Sequence, residues 1–130
     1  MSRRYLWIPP ALLAGIIFVL SSISQVPGAG YVWDKLAHLV VFGALGFLTL
    51  RATHGGSRPL APGPAAAAVF LVLLWGVLDE VHQFFVPGRD ASVRDVVADA
   101  LGAALAVLVW AAWRGTARIS RALRGGGGDA

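Results

Sequence analysis

Side chains able to carry protons or ligate cations are gathered in three short stretches of this 130-residue chain, each at the edge of an apolar segment. Six of its seven acidic residues lie there: Asp34, Asp79, Glu80, Asp90, Asp95 and Asp99. Among them stand two imidazoles, an amine and an amide: His38, His82, Lys35 and Gln83. Carboxylates beside imidazoles suit general acid–base chemistry or cation binding. Charged groups inside a membrane segment are costly and tend to be functional.

Four apolar segments must position these side chains. The predicted spans are 6–24, 35–51, 64–86 and 95–113, followed by a basic tail at 114–130. About 20 helical residues cross the hydrocarbon core of a bilayer. The sequence therefore predicts an all-α, polytopic membrane protein with four transmembrane helices in an antiparallel bundle, forming a single domain over residues 1–130.

The second segment is the shortest of the four. Its uninterrupted apolar run covers only Leu36–Leu50. It can span a bilayer if Asp34 and Lys35 lie at one interface and the Arg51 side chain extends to the other.

Composition excludes several classes of protein. Charged residues make up 14% of the chain, against about 25% in soluble domains. The absence of cysteine excludes disulfides and thiolate metal sites. The net charge of +4 comes from ten arginines and one lysine against seven acids. The placement of these cations fits membrane topology, so we expect membrane lipid and no nucleic acid as a partner.

Arginine placement predicts the orientation. Eight arginines flank one side of the four spans: Arg3, Arg4, Arg51, Arg58, Arg114, Arg118, Arg121 and Arg124. Only three cations flank the other side: Lys35, Arg89 and Arg94. The positive-inside rule then places both termini in the cytoplasm and the three acidic stretches on the outer face of the cell membrane. The first segment loosely resembles a secretory signal, but its length and poor cleavage site favour a retained span.

Helical spacing aims two of the stretches at one another. Asp34, Lys35 and His38 fall within an arc of about 100° on the second helix. Asp95 and Asp99 stack one turn apart on the fourth helix. Both sets lie near the same end of the bundle, which predicts a polar pocket that opens outward.

The third segment contributes the strongest single signal. Asp79, Glu80 and Gln83 share one arc, with His82 beside it. Two adjacent carboxylates in a span cannot both ionise cheaply without partners. The candidate partners are Lys35, Arg89, Arg94 and the histidines.

Purely structural roles are open for several of these residues. Asp79 and Glu80 could form interhelical salt bridges with Arg89 or Arg94. Ser92 and Asp95 have the spacing of a capping box at the start of the fourth helix. His54 is predicted to lie in a cytoplasmic loop without a role. The number of polar groups favours a ligand or chemical site over architecture alone.

The polar stretches resemble a known family, the VanZ-like membrane proteins. The sequence from Asp34 to His38 is similar to the family's D-K-x-x-H. Residues 79–89 are similar to D-E-x-x-Q-x-F-x-P-x-R. Residues 89–102 resemble R-x-x-S-x-x-D-x-x-x-N-x-x-G. Order and spacing agree from Asp34 to Gly102, which covers over half of the chain.

Two positions depart from this pattern. Phe42 stands where the family usually has tyrosine, which removes a hydroxyl. Asp99 stands where it usually has asparagine, which adds a possible charge. The resemblance implies a small four-helix membrane protein of the cell envelope. The family takes its name from a teicoplanin-type glycopeptide resistance determinant, so the resemblance supplies a context but no reaction.

The first functional hypothesis is therefore a binding protein. Its outward pocket would hold a polar or cationic envelope component such as a lipid headgroup, a cell-wall precursor or a glycopeptide. The candidate pocket residues are Asp34, Lys35, His38, Asp79, Glu80, His82, Gln83, Arg89, Asp95 and Asp99.

The alternative is an integral-membrane enzyme. Glu80 or Asp99 would act as base or metal ligand, with His38 and His82 as ligands or proton carriers. An oxygen and nitrogen site of this kind suits Zn²⁺ or Mn²⁺. Proton-coupled transport is a third hypothesis, which would require an oligomer because four spans are few for a transporter.

Overall fold

A computed structural model describes residues 3–24, 31–55 and 60–125, and side chains from position 4 to position 114 within them, except those of 31 and 32. All regular structure in these residues is helical. A 3₁₀ turn, Arg3–Trp7, leads into the first of four helices, which are α1 (Ile8–Ser21), α2 (Tyr31–His54), α3 (Pro62–Phe84) and α4 (Val93–Gly125). Within the described residues, four stretches are long and apolar enough to cross a membrane: Arg4–Ser21, Trp33–His54, Pro62–Phe84 and Val93–Arg114. The predicted all-α, four-span architecture is confirmed.

Two helices extend further than their apolar runs. The second span is not short, because α2 continues through Asp34 and Lys35 at its start and through Arg51 to His54 at its end. The fourth helix continues without a break to Gly125, so the described part of the predicted basic tail is helical and continuous with α4. Charged residues at both ends of a span lengthen the helix beyond the hydrocarbon core, since their side chains can reach the interface.

His54 secures the end of α2, and the expectation that it lies in a loop without a role was wrong. Its imidazole is buried, and its Nδ1–H donates to the carbonyl of Leu50 at 3.2 Å. Its Nε2 accepts the backbone N–H of Ala61 at 3.0 Å, just before α3 begins. Gly55 follows with φ +67°, the left-handed conformation that commonly ends a helix. The ring therefore joins the end of α2 to the start of α3.

The helices alternate in direction, so the bundle has two chemically distinct ends. At one end, which we call the polar end, α1 and α3 finish and α2 and α4 begin. At the other, the basic end, lie Arg4, Arg51 and Arg114. Two apolar clusters fill the interior between them. The buried members of the first are Ile17, Phe42, Leu45, Val72 and Ala103. Those of the second, toward the basic end, are Leu50, Ala68 and Trp110.

Helices α2 and α4 run side by side in the same direction and make the closest contact in the bundle. A Cβ atom added to Gly102 would lie 2.8 Å from the backbone nitrogen of Gly43 and would clash with the carbonyl of Leu39. A Cβ added to Gly46 would lie 3.0 Å from the Cα of Ala103. Small residues at an interface allow helix backbones in a membrane to approach closely and pack.

We predict that Gly102→Ala destabilises the protein by about 1–3 kcal/mol, because the added methyl group meets backbone atoms that cannot move aside unless the helices separate. Gly15→Ala is the matched control, since a Cβ at Gly15 meets nothing within 4 Å. Thermal unfolding of the detergent-purified proteins measures both changes. Equal melting temperatures for the two variants would contradict the close contact between α2 and α4.

Candidate ligand-binding site

Four carboxylates are buried at the polar end. The exposed fractions are 4% for Asp79, 7% for Glu80, 2% for Asp95 and 0% for Asp99. A buried ionised group is costly unless it is paired or hydrogen-bonded. The partners that meet these groups come from other helices or from the turn that precedes α4, apart from one glutamine on α3 itself.

Side chains of α2 pair with acids of α4. Because the two helices run in the same direction, the pairs occur in the same order along both. The Lys35 ammonium lies 3.1 Å from Oδ2 of Asp34 and forms an ion pair with Oδ1 of Asp95. One turn further along, Nδ1–H of His38 donates to Oδ1 of Asp99 at 3.0 Å. The ring of Phe42 stacks on His38, with centroids 5.7 Å apart. The predicted convergence of the second and fourth segments is present in the structure.

Asp79 has neutral partners. The Ser21 hydroxyl donates to Oδ1 at 2.6 Å, and Nε2 of Gln83 donates to Oδ2 at 2.9 Å. Hydrogen bonds to an ionised acceptor are stronger than neutral ones and satisfy a carboxylate without a second charge. The structure shows no salt bridge from Asp79 to Arg89 or Arg94, the structural role that the sequence left open for this acid. Ser21, which sequence reasoning missed, brings α1 into the site, and its position at the end of the first apolar run was the available signal.

Glu80 caps helix α4. Its Oε2 accepts the backbone N–H of Ser92 at 2.6 Å, next to the first residue of that helix. The Ser92 hydroxyl accepts the backbone N–H of Arg94 at 3.2 Å, which is the N-cap role predicted for it. The other half of the predicted capping box was wrong. Glu80 from another helix takes the position that Asp95 would occupy, and Asp95 turns to Lys35 instead.

His82 belongs to a different group of contacts from His38. Its ring lies 4.4 Å from that of Phe18, and Nε2 lies 2.9 Å from the Ser22 hydroxyl. Because that hydroxyl donates its hydrogen to the carbonyl of Phe18 at 2.7 Å, the histidine must be the donor to Ser22. This arrangement does not activate Ser22 as a nucleophile. The two histidines that were expected to act together therefore have different partners, which are Asp99 and Phe42 for His38 and Ser22 and Phe18 for His82.

A polar cavity of about 260 Å³ opens between α1, α2 and α3 at the polar end. Its polar lining comes from six side chains: Ser21, Asp34, His38, Asp79, Gln83 and Arg89. Apolar side chains complete the wall: Ile17, Leu20, Ala37, Val41 and Phe42. Arg89 forms no ion pair with any described residue, and its buried Nε has no hydrogen-bond partner among them. The cavity thus presents both carboxylates and an unpaired guanidinium.

A second, apolar groove of about 500 Å³ lies between α3 and α4. Val81, Phe84 and Phe85 line it and are largely exposed, as the sequence predicted for side chains facing lipid. Glu80 is the acid that borders it. Five of the ten predicted pocket residues line the polar cavity, and five do not: Lys35, Glu80, His82, Asp95 and Asp99.

Gly76 makes room for the most buried of the acids. A Cβ at this position would lie 2.6 Å from Oδ2 of Asp99, so the carboxylate packs directly against the backbone of α3. This contact could not be predicted, because a glycine within an apolar helix has no distinctive spacing.

Three donors at the junction of α2 and α4 have the geometry of a possible metal-binding group. One atom each of Asp34, His38 and Asp95 can be chosen so that all lie within 4.8 Å of one another. The set differs from the predicted ligands, since Glu80, Asp99 and His82 are not members of it.

We predict that Lys35→Met lowers the free energy of unfolding by about 1–3 kcal/mol, because it leaves the buried Asp95 without its cation. The range lies below that for a fully buried pair, since Lys35 is partly exposed. Arg51→Met is the matched control: it also replaces a cation on α2, but at an exposed position of the basic end. Unfolding in detergent compares them, and a control variant as unstable as Lys35→Met would contradict the assigned pairing.

Comparison with known proteins agrees with the motif pattern. A sequence model described as VanZ/LLP1 matches residues 2–114, which include all four spans and every residue of the site. Searches of curated proteins and of solved structures returned no significant match.

Proposed function

The chain belongs to the VanZ/LLP1 family, and from this premise we propose that its polar cavity binds the polar head of an amphipathic cell-envelope molecule. The observation that carries the proposal is the mixed charge of the cavity lining. Asp34 and Asp79 suit an ammonium or hydroxyl group of a ligand, and the Arg89 guanidinium, whose buried Nε has no hydrogen-bond partner among the described residues, suits an anionic group. Arginine suits phosphate and carboxylate because its donors form a fixed fork.

The volume of the cavity supports a headgroup rather than a whole antibiotic. Pockets that enclose complete drug-sized molecules measure about 300–1,000 Å³. The cavity measures about 260 Å³, which suits one polar moiety of a larger molecule. The four membrane spans place lipid around the bundle, so the apolar remainder of the ligand can stay in the bilayer.

The arginine distribution supports an outward-facing cavity in the cytoplasmic membrane. Arg4, Arg51 and Arg114 lie at the basic end, which the positive-inside rule assigns to the cytoplasm together with both termini. The cavity then faces the compartment that holds cell-wall precursors and receives glycopeptides. We propose resistance to teicoplanin-type glycopeptides as the cellular role that such binding serves.

The alternative function is an integral-membrane enzyme. The pair of Asp99 and His38 supports it, since a carboxylate that holds Nδ1–H orients the imidazole and leaves Nε2 as a base beside the cavity. The contacts of Ser22 and His82 do not support a second catalytic pair.

The test measures binding by the full chain in detergent, with a short-chain phosphoethanolamine lipid, a lipid-linked cell-wall precursor and teicoplanin as probes. We expect Arg89→Gln to weaken the binding of a phosphate-bearing probe by about tenfold or more, the equivalent of one charge-assisted hydrogen bond. Arg94→Gln is the matched control, because Arg94 is exposed at the same end and does not line the cavity.

Binding by none of the three probes, or equal binding by both variants, would contradict the proposed headgroup site. The cellular role is measured separately. Teicoplanin susceptibility of a host that expresses the protein should be lowered by the original chain and the Arg94→Gln variant, and not by Arg89→Gln.

A further inference from the structure

We propose that Asp34, His38 and Asp95 form a binding site for a divalent cation, Zn²⁺ or Mn²⁺, for which the ammonium of Lys35 competes. The site joins the first turns of α2 and α4 at the polar end. It goes beyond the headgroup site and does not rest on it, although Asp34 and His38 also line the polar cavity.

The donor atoms must move closer together to share one ion. The three donor atoms lie within 4.8 Å of one another. Oxygen and nitrogen donors bind Zn²⁺ at about 2.0–2.2 Å in a tetrahedral arrangement, so two donors of one ion lie about 3.4 Å apart. The glycine contact holds the backbones of α2 and α4 in place. The donor atoms can approach one another through changes in the side-chain torsion angles.

A cation already occupies the point where these carboxylates converge. The Lys35 ammonium lies 3.1 Å from Oδ2 of Asp34 and pairs with Oδ1 of Asp95. Asp95 is 2% exposed, and its Oδ1 has no hydrogen bond of acceptable geometry beyond this contact. A buried carboxylate held only by a partly exposed lysine is a strong acceptor for another cation.

His38 is oriented as metal-binding histidines usually are. Such histidines donate their second ring N–H to a carboxylate or carbonyl, which fixes the tautomer and raises the basicity of the free nitrogen. Nδ1–H of His38 donates to the fully buried Asp99, and the ring stacks on Phe42. Nε2 is then the nitrogen left to bind a metal ion.

The charge of the surrounding groups also favours a divalent cation. Five carboxylates lie at the polar end of the bundle interior: Asp34, Asp79, Glu80, Asp95 and Asp99. The cationic side chains among the described residues near this end are Lys35, Arg89 and the exposed Arg94, and His38 is neutral when it binds a metal ion. Oε1 of Glu80 and Oδ2 of Asp99 are buried without a hydrogen-bond partner. A second cation beside Asp95 would offset part of the remaining negative charge.

The donor types select the metal ion, and the position of Lys35 explains why its ammonium can compete with that ion. Two carboxylates and one imidazole, without a thiolate, suit Zn²⁺ or Mn²⁺. Lys35 lies near the start of α2 and is partly exposed. Its flexible stem can therefore carry the ammonium toward the interface when a metal ion replaces it.

The test titrates the detergent-purified full chain with Zn²⁺ and with Mn²⁺, and counts bound metal after desalting. We expect one ion per chain, a loss of at least tenfold in affinity for Asp95→Asn, and a gain of at least tenfold for Lys35→Met. Asp90→Asn is the matched control, because Asp90 is an exposed acid near the same end. This variant should bind metal with the same affinity as the original chain.

A thermal measurement keeps the test valid if Asp95→Asn does not fold, with His38→Gln as the second loss variant. Metal should raise the melting temperature of Lys35→Met more than that of the original chain, and should leave His38→Gln unchanged. The proposal is overturned if neither the original chain nor Lys35→Met binds either ion, or if these substitutions do not alter affinity. Arg89→Gln should bind metal like the original chain. Failure of the metal site can therefore be told apart from failure of the headgroup site.

Discussion

The need to satisfy buried carboxylates inside an apolar bundle determines how the four helices meet. Among the described residues, neither α3 nor α4 supplies all the partners that its own buried acids require. Asp95 and Asp99 on α4 depend on Lys35 and His38 of α2. Asp79 on α3 depends on the last residue of α1, and Glu80 on the turn before α4. Since leaving one such group unpaired costs several kcal/mol, the correct arrangement is favoured over other packings of the same apolar surfaces.

Helix number, span order and the end at which the acids gather follow from hydropathy and charge, and the pairing of α2 with α4 followed from helical spacing. The sequence could not predict which side chain or backbone group each buried acid contacts. Ser21 and Gln83, rather than an arginine, satisfy Asp79. Glu80 replaces Asp95 in the cap of α4. Spacing along a helix gives the face on which a side chain lies, whereas the depth and rotation of the neighbouring helix decide which donor it meets. The role of His54 was missed for the same reason. Its partner Ala61 comes close to it only in the folded chain.

The two departures from the family pattern meet at a single residue. Phe42 stacks on the ring of His38, and Asp99 accepts the hydrogen bond from its Nδ1–H. A tyrosine and an asparagine at these positions would offer a hydroxyl and a neutral amide to the same imidazole. This chain offers an apolar ring and a carboxylate instead. Seen separately in the sequence, the two changes weaken the motif, but in the structure they form one altered environment around a single imidazole.

The parallel course of α2 and α4 has a consequence for how the two helices can vary in length. Lys35 pairs with Asp95, His38 with Asp99, and Gly43 contacts Gly102. Removing one residue from either helix between these contacts would rotate everything beyond it by about 100° relative to the other helix. The polar pairs and the glycine contact would then no longer face each other together. Related chains that keep both features must therefore place insertions and deletions in the connections between helices or beyond the shared segment, or change both helices by the same number of residues.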